Sequence, residues 1–494
     1  MKLVFLAIGF ENLAVQYLSS YLFKHNINNI LIYDYSLFDE KYYCDSKLLA
    51  HFFSIRKKLI KRIFFEQPDL IAISVFTHNY KWAKEITSEI KKKSNIPVIL
   101  GGLHPTIYPD FVLNDTQADY ICIGEGEHAL LELCQRLEQK LSPNNIKNIW
   151  VKDGCNIIKN DMRPLISDLD SLPFPNKNLF DGYLDISDVY MISASRGCIN
   201  NCTYCGAAIL HKILKNAGNY YRIRTPENVI DELALAKDRY NIKTVNFVDN
   251  IFTLDKKWTL EFLNLYKEKI KLPFRCLSYP SYIDEDIVKM LKMSNCYQIS
   301  IGIQTFNEQN RKLLLNRNLS NEMIFNVFRL FEKYGLKYNV DHILGIHNED
   351  FNEQIIALEI YSDFKPSHIS CFWLTYLPGT KLTAMAVHLN ILNVDEINEI
   401  MYGNVSSFHS HGSIKKNIRK FEQVNAMFSL LPLLPFPINK VFIKLRNFNF
   451  FVRPMFLKSL FDIFTAIKNK DWEKFYFIKY YIKSIFKVLK MFFY

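Results

Sequence analysis

Ser195-Arg-Gly-Cys-Ile-Asn-Asn-Cys-Thr-Tyr-Cys205 is the stretch on which the reading of this 494-residue chain turns. It sets Cys198, Cys202 and Cys205 at the spacing C-x3-C-x2-C, with Tyr204 just before the last cysteine. Three thiolates on one short loop suit three irons of a cubane [4Fe-4S] cluster, because thiolate is the ligand such clusters use. The fourth iron is then left open to a substrate or cofactor. Gly197 and Gly206 allow the loop to turn tightly. A structural zinc site is the competing use of these thiols, but it wants four ligands, usually in two separated pairs. No second pair lies nearby, and His211 is the nearest histidine.

Working outward, Val189-Tyr-Met-Ile-Ser193 is a strand that feeds this loop, and strands and helices then alternate. Further strands are expected at Thr244–Val248, Phe274–Tyr279, Tyr297–Ile303, Tyr338–Leu344 and His368–Thr375. Between them, Thr225-Pro-Glu opens a helix with Thr as N-cap and Pro in its first position. Helices are also expected at Asp284–Met293 and Asn321–Tyr334, the second closed by Gly335. Six βα-type units suit a partial (β/α)6 TIM-type barrel, and active groups in such barrels lie at the carboxyl ends of the strands. Those ends carry Asp249, Asn250, Ser278, Gln304, Thr305, His347 and Glu349.

The cysteine spacing, with an aromatic before the third cysteine, resembles the cluster motif of the radical S-adenosylmethionine (SAM) enzymes. The resemblance implies that SAM chelates the open iron and is cleaved by the reduced cluster to a 5′-deoxyadenosyl radical. Phe247-Val-Asp-Asn250 resembles the family's segment for the SAM amino group, with Asn where a second Asp is frequent. Gly302-Ile-Gln304 resembles a segment that contacts the SAM ribose and often ends in Glu. Ile343-Leu-Gly345 fits the family's glycine motif after the fifth strand, whose acid would fall at Asn348. By this resemblance Tyr204, Asp249, Asn250, Ser278 and Gln304 are the candidate SAM-binding residues.

The N-terminal third alternates in the same way. Strands are expected at Leu3–Ile8, Asn29–Tyr33, Asp69–Ser74, Pro97–Leu100 and Tyr120–Ile123, with helices between them. Such alternation argues a parallel sheet covered by helices on both faces. Ligands of such sheets sit at the carboxyl ends of the strands. Here those ends read Ser74-Val-Phe76, Gly101-Gly-Leu-His-Pro-Thr106 and Gly124-Glu-Gly-Glu127, and paired glycines let backbone approach a large flat ligand. A nucleotide-binding Rossmann domain is the alternative, but no G-x-G-x-x-G follows the first strand. These residues resemble the Rossmann-like cobalamin-binding domain fused to many radical SAM enzymes, with Ser74-Val75-Phe76 and Gly101-Gly102 as its two short elements. The D-x-H-x-x-G motif that supplies a cobalt-ligating histidine is absent, which implies cobalamin held without a protein histidine on cobalt. Ser74, Phe76, Gly101, Gly102, His104, Gly124 and Gly126 are the candidate cobalamin-binding residues, and His78 and His104 stand near the ligand.

The expected domains are therefore residues 1–140 (cobalamin-binding-like), a proline-punctuated connection over 141–188, the radical SAM core over 189–385, and a mainly helical, basic region over 386–494. The last 54 residues hold 11 Lys and Arg against 3 Asp and Glu, so +8 of the net +11 sits there. Lys479, Lys483, Lys487 and Lys490 share one helical face, opposite Ile478, Ile482, Ile485 and Leu489. Such a helix can lie on an anionic membrane as a peripheral contact, or dock on the barrel. No nucleic-acid-reading motif accompanies the charge. Phe428 to Pro437 is too short and too interrupted by proline to span a bilayer. No signal peptide is visible, and the other seven cysteines (44, 122, 134, 155, 276, 296 and 371) read as small buried hydrophobes, so a reduced cytoplasmic setting is expected.

Together the motifs predict a cobalamin-dependent radical SAM enzyme with three cofactors: a [4Fe-4S] cluster, SAM and cobalamin. Methylation of an unactivated carbon is the expected reaction. Cyclisation or oxidation without methylation is the alternative within enzymes, and a cobalamin-binding sensor with a structural cluster the alternative outside them. The substrate class stays open among small molecules, lipids and peptides, and an electron donor such as flavodoxin or ferredoxin is implied.

Overall fold

The computed structural model describes residues 1–9, 11–35, 37–38, 46–347, 349–404, 412–413, 417–446 and 448–493. Cys44 and Asn348 lie outside the described residues. The N-terminal sheet has seven strands in the order β2-β1-β3-β4-β5-β6-β7. They are β1 Lys2–Ile8, β2 Asn28–Asp34, β3 Leu70–Ser74, β4 Val98–Gly101, β5 Tyr120–Cys122, β6 Ile149–Asp153 and β7 Asn156–Ile158. The first five run parallel, as the alternation predicts. Leu3, Phe5 and Ala7 of β1 join one apolar cluster, while Val4 and Leu6 join another on the opposite face. A strand buried on both faces must be apolar throughout, and β1 is.

Strand β6 pairs antiparallel with β5, and β7 with β6; neither was anticipated. They fall within the stretch read as a connection, where a short hairpin around Asp153-Gly154-Cys155-Asn156 is hidden by a weak apolar pattern. The rest of that stretch threads between the two sheets. Lys177 is wholly buried there, paired with Glu11 at 2.5 Å and donating to the Met191 carbonyl.

The second sheet contains β8 Tyr190–Ile192, β11 Val245–Phe247, β12 Phe274–Ser278, β13 Cys296–Gln304, β14 Tyr338–Leu344 and β15 His368–Trp373. All neighbours are parallel and follow chain order, as in a partial barrel. A two-strand ribbon, β9 Ser195–Arg196 with β10 Arg222–Ile223, stands at its mouth. One face packs Val245, Phe274, Ile299 and Val340 against helices such as Pro226–Tyr240 and Asn321–Tyr334. The concave face is polar. Asn246 donates to Glu473, Arg275 and Asn339 both donate to Ser300, and Arg275 pairs with Glu473.

Glu473 comes from the last helix, Trp472–Phe493, so the C-terminal region closes one end of the barrel. Lys474 of the same helix meets His368 at the start of β15. The lysine face of this helix is not free. Lys479 pairs with Asp185 and Asp188, Lys483 with Asp185, and Lys487 donates to the carbonyls of Gly182 and Tyr183. The helix is docked as the second alternative has it, with Lys479, Lys483 and Lys487 engaged by the 182–188 segment and Lys490 exposed. Among the described residues no helix is long and apolar enough to cross a bilayer.

Candidate active site

The start of the cysteine loop is held from two sides by charge. Behind it, the Asp249 carboxylate accepts from the backbone N–H groups of Ala194 and Ser195 at 3.1 and 2.6 Å, and from the Ser195 hydroxyl. Burial pushes this carboxyl up, while those donors pull it down. In front, Arg196 donates to Glu125 and Glu127 at 2.9 and 2.6 Å, and Arg222 donates to Glu125 at 3.0 Å. The glutamates of Gly124-Glu-Gly-Glu127 therefore tie the first sheet to the cysteine loop. Gly197 has φ +90°, and a Cβ there would stand 2.1 Å from the Tyr220 carbonyl oxygen, so only glycine fits beside the segment that leads into β10.

Cys198 and Cys202 are buried and Cys205 half-buried. Cys205 caps the helix Gly206–Leu214. Burial pushes the Cys198 and Cys205 thiols up, whereas the N–H of Asn200, on Cys198, and those of Ala207 and Ala208, on Cys205, favour the thiolates. Such N–H groups aimed at sulfur, with a helix amino terminus behind them, suit a thiolate-ligated cluster. Among the described residues no three His, Cys, Asp or Glu side chains gather around a single metal ion. A zinc needs its thiolates crowded on one atom at about 2.3 Å, whereas a cubane takes each thiolate at a separate iron corner. The loop supplies three thiolates, the number a cubane with one open iron takes from the chain.

Arg317, which the sequence did not single out, is fixed beside these thiols. It donates to the Gly302 carbonyl at 2.6 Å and to the Tyr204 hydroxyl at 3.2 Å, lies 3.8 Å from the Cys202 sulfur, and covers the Tyr279 ring at 4.2 Å. Asn250 is exposed and donates to the Gly197 carbonyl, and Gln304, at φ +71°, crowds Gly302 beside Arg317. Tyr204, Asn250 and Gln304 are thus brought to the loop. Ser278 is buried with its hydroxyl on Thr253. Glu349 sits under the Gly345 turn, accepting from the Gly345 N–H at 2.7 Å, and burial pushes it up to about 8.

A cavity of about 370 Å³ lies between the two sheets. From the first sheet it is lined by Ser74, Gly101, Gly102, Gly124 and Gly126, and from the barrel side by Ser193, Ser195, Arg196 and Val248. Gly102 has φ +100°, and a Cβ there would press on Val75 backbone at 3.0 Å. The helix Leu103–Ile107 then packs on the helix that follows Cys205, with Leu103 against Gly206. Phe76 and His104 are not among the lining residues. Phe76 stacks on His78. His104 is buried among Tyr80, Tyr108 and Phe111 with Nδ1 on the Thr77 hydroxyl, and desolvation pulls it down to about 4. No histidine is among the described residues lining the cavity, and its glycine floor and apolar walls suit a flat group approached by backbone. A larger groove of about 1000 Å³ touches Asn29 and Ile30 at the amino end of β2, away from these motifs.

The concave barrel face has two layers. Asn246, Arg275, Ser300 and Asn339 are buried under Glu473, while Leu277, Gly302, Asp341, Ser370 and Phe372 are half-buried above them. Asp341 pairs in register with Gly302 and Ser370, and its carboxylate has no hydrogen-bond partner among the described residues. Burial pushes its carboxyl up to about 6, against the pull of Arg275 and Arg317. Periodicity alone could have flagged it as an acid on an inward strand position.

Residues 192–358 match the family model of the radical SAM superfamily, and residues 11–134 match that of the B12 binding domain. An uncharacterized methyltransferase of Pyrococcus horikoshii is 24% identical over 417 residues, covering 83% of this chain and 84% of the relative. An anaerobic magnesium-protoporphyrin IX monomethyl ester cyclase of Rubrivivax gelatinosus is 23% identical, covering 63% of this chain and 57% of the relative. In fold, the chain is similar to the radical SAM methyltransferase TsrM from Kitasatospora setae, solved with cobalamin and a [4Fe-4S] cluster, with TM-score 0.64, 16% identity and 78% of each chain covered.

Proposed function

We propose that this chain, which belongs to the cobalamin-dependent radical SAM enzymes, methylates an unactivated carbon of a substrate bound in the barrel. The observation that carries this reading is the cavity that the glycine rim of the first sheet shares with the opening residues of the cysteine loop. Bound together, the cluster, SAM and cobalamin supply reductive bond cleavage, hydrogen abstraction and a transferable methyl group. The chain's own share is to hold, orient and exclude water. Cys198, Cys202 and Cys205 hold the cluster. Tyr204, Asn250 and Gln304 position SAM beside it, and Arg317 keeps a fixed positive charge next to the thiolates. Asp249, first expected to contact SAM, is better placed to pin the loop's backbone, and Ser278 to support the β12 end through Thr253. Ser74, Gly101, Gly102, Gly124 and Gly126 form the corrinoid's bed, while Phe76 and His104 support the loops behind it.

In this division residues 1–140 hold the corrinoid, 189–385 carry the radical chemistry, and the concave layer at Asp341 receives the substrate. An ionised Asp341 suits a substrate hydroxyl or ammonium donor, since a charge-assisted hydrogen bond would replace the partner it lacks. A reductant of the flavodoxin or ferredoxin class would feed the cluster. The similarity to a cyclase supports a second reading, in which the substrate radical closes a ring without gaining carbon. Anaerobic assay of the reconstituted chain with SAM, hydroxocobalamin and reductant separates the two. A deoxyadenosine signal with a product one methylene heavier supports methylation. Deoxyadenosine with no added carbon supports the second reading, and no deoxyadenosine at all overturns both.

A further inference from the structure

The stretch 423–461 contains no acidic residue, yet it carries five Lys and Arg. It holds the helix Phe436–Lys444 and the start of the helix Pro454–Asn469. Both helices bury one side and present large apolar side chains on the other. In the first, Asn439 and Ile443 face inward, while Val441 and Leu445 are 61% and 58% exposed. In the second, Pro454, Thr465 and Ala466 face inward, while Phe456, Phe464 and Ile467 are each more than half exposed. Val452, on the segment joining them, is 73% exposed. A soluble surface helix turns such a stripe inward, and contiguous exposed apolar area marks a contact site.

Lys440, Lys444, Arg446, Arg453, Lys468 and Lys470, interspersed in sequence with these apolar residues, are exposed too. Lys444, Arg446, Arg453 and Lys470 have no carboxylate at ion-pair distance among the described residues. Asp462, the one acid on the second helix, is held by Lys458 and Lys474. An apolar face rimmed by cations complements an anionic bilayer, into which the apolar groups sink while the cations meet headgroups. It does not complement a second copy of itself, because pairing two such faces would bring like charges together.

We propose that the surface formed by the helices Phe436–Lys444 and Pro454–Asn469, with Val452 between them, lies on an anionic lipid bilayer. This site is distinct from the last helix, whose Lys479, Lys483 and Lys487 are engaged by the 182–188 segment. It does not depend on which radical reaction the barrel runs. The test is co-sedimentation of the full chain with vesicles of phosphatidylcholine alone or with phosphatidylglycerol added. Wild type should bind the anionic vesicles at least about tenfold more tightly than the neutral ones, and less so as salt rises. Val441→Asp with Val452→Asp, and separately Lys444→Glu with Arg453→Glu, should each weaken that binding about tenfold or more. All four positions are exposed, so thermal melts should match wild type. Phe486→Asp, on the last helix, should leave binding unchanged. Wild type that ignores anionic vesicles overturns the proposal. So does Phe486→Asp abolishing binding while the two paired variants keep it, or the Val441 and Val452 pair turning a dimer into a monomer with no effect on vesicles.

Discussion

The two parallel sheets of this chain expose chemistry in different ways. The first is covered on both faces, and alternate residues of β1 join separate apolar cores. Its carboxyl rim opens on the cavity shared with the barrel, and what it offers a ligand there is glycine backbone at Gly101, Gly102, Gly124 and Gly126. The second is covered on its outer face, and the last helix covers the lower layer of its concave face at Asn246, Arg275, Ser300 and Asn339. Above that layer Leu277, Asp341, Ser370 and Phe372 are half-buried, so what this face offers a ligand is side chains. A flat sheet sandwiched between helices can display function at its edge, whereas a curved one can also display it across its inner surface.

Separating the two sheets experimentally is the strongest way to break this comparison. Cys202→Ala should lower deoxyadenosine formation by roughly a thousandfold or more, because no side chain replaces the open-iron chemistry. Iron content and visible absorbance should fall with it, while hydroxocobalamin uptake by the first sheet persists. Loss of both cofactors together would mean that the rims do not act independently. Next in size is Gly102→Val. A side chain at φ +100° that also presses on Val75 costs about 1–3 kcal/mol, so corrinoid affinity should fall about tenfold to a hundredfold with the cluster intact. Unchanged affinity in a hydroxocobalamin titration would show that backbone shape does not set this rim. Glu473→Gln probes the closed end of the barrel. It removes the carboxylate from buried Arg275, at a cost of about 2–4 kcal/mol. The melting temperature should drop while cluster loading is retained, and a melt identical to wild type would mean that Glu473 does not seal the barrel.

How much of this was legible in the sequence follows from the same contrast. All eleven strands expected from apolar runs are present, because a strand buried on one or both faces writes its burial into its composition. The cysteine loop and the glycine rim were legible because their spacing is local. What the sequence hid is set by distant partners. Glu125 and Glu127 read as part of a ligand loop, yet their charge goes to Arg196 and Arg222, 71 and 97 residues from Glu125 in the case of the Arg196 and Arg222 bonds. His104 reads as a rim residue, yet aromatic packing draws it behind the loop. Arg317 lies far from any motif and reaches the thiols through chain folding alone. The lysine face of the last helix looked free because Asp185 and Asp188 come from a segment about 300 residues earlier.

Asp341→Asn gives the smallest effect and the finest test of the concave face. The side chain is half-buried, so water that reaches it screens part of the effect of burial. Folding holds the carboxyl at about 6, above its ordinary value of 3.8, because burial disfavours the ion. The folded chain therefore binds this proton more tightly than the unfolded chain does. Its contribution to stability is favourable at low pH and is lost as pH rises through the window from 3.8 to about 6. Asparagine cannot ionise, so the variant should melt at or above wild type near neutral pH, with the gap closing below the window. Turnover should move the other way. If the carboxylate grips a donor on the substrate, the variant loses a charge-assisted hydrogen bond worth about 1.5–3 kcal/mol, or roughly tenfold to a hundredfold in kcat/KM. Wild-type kcat/KM should also decline as pH falls through about 6 while that of the variant stays flat. Deoxyadenosine formation without substrate should be equal in the two, since SAM and the cluster are untouched. A variant that melts higher yet turns over like wild type at every pH would leave Asp341 a mere relic of packing, and the concave face would then owe its substrate contacts to other residues.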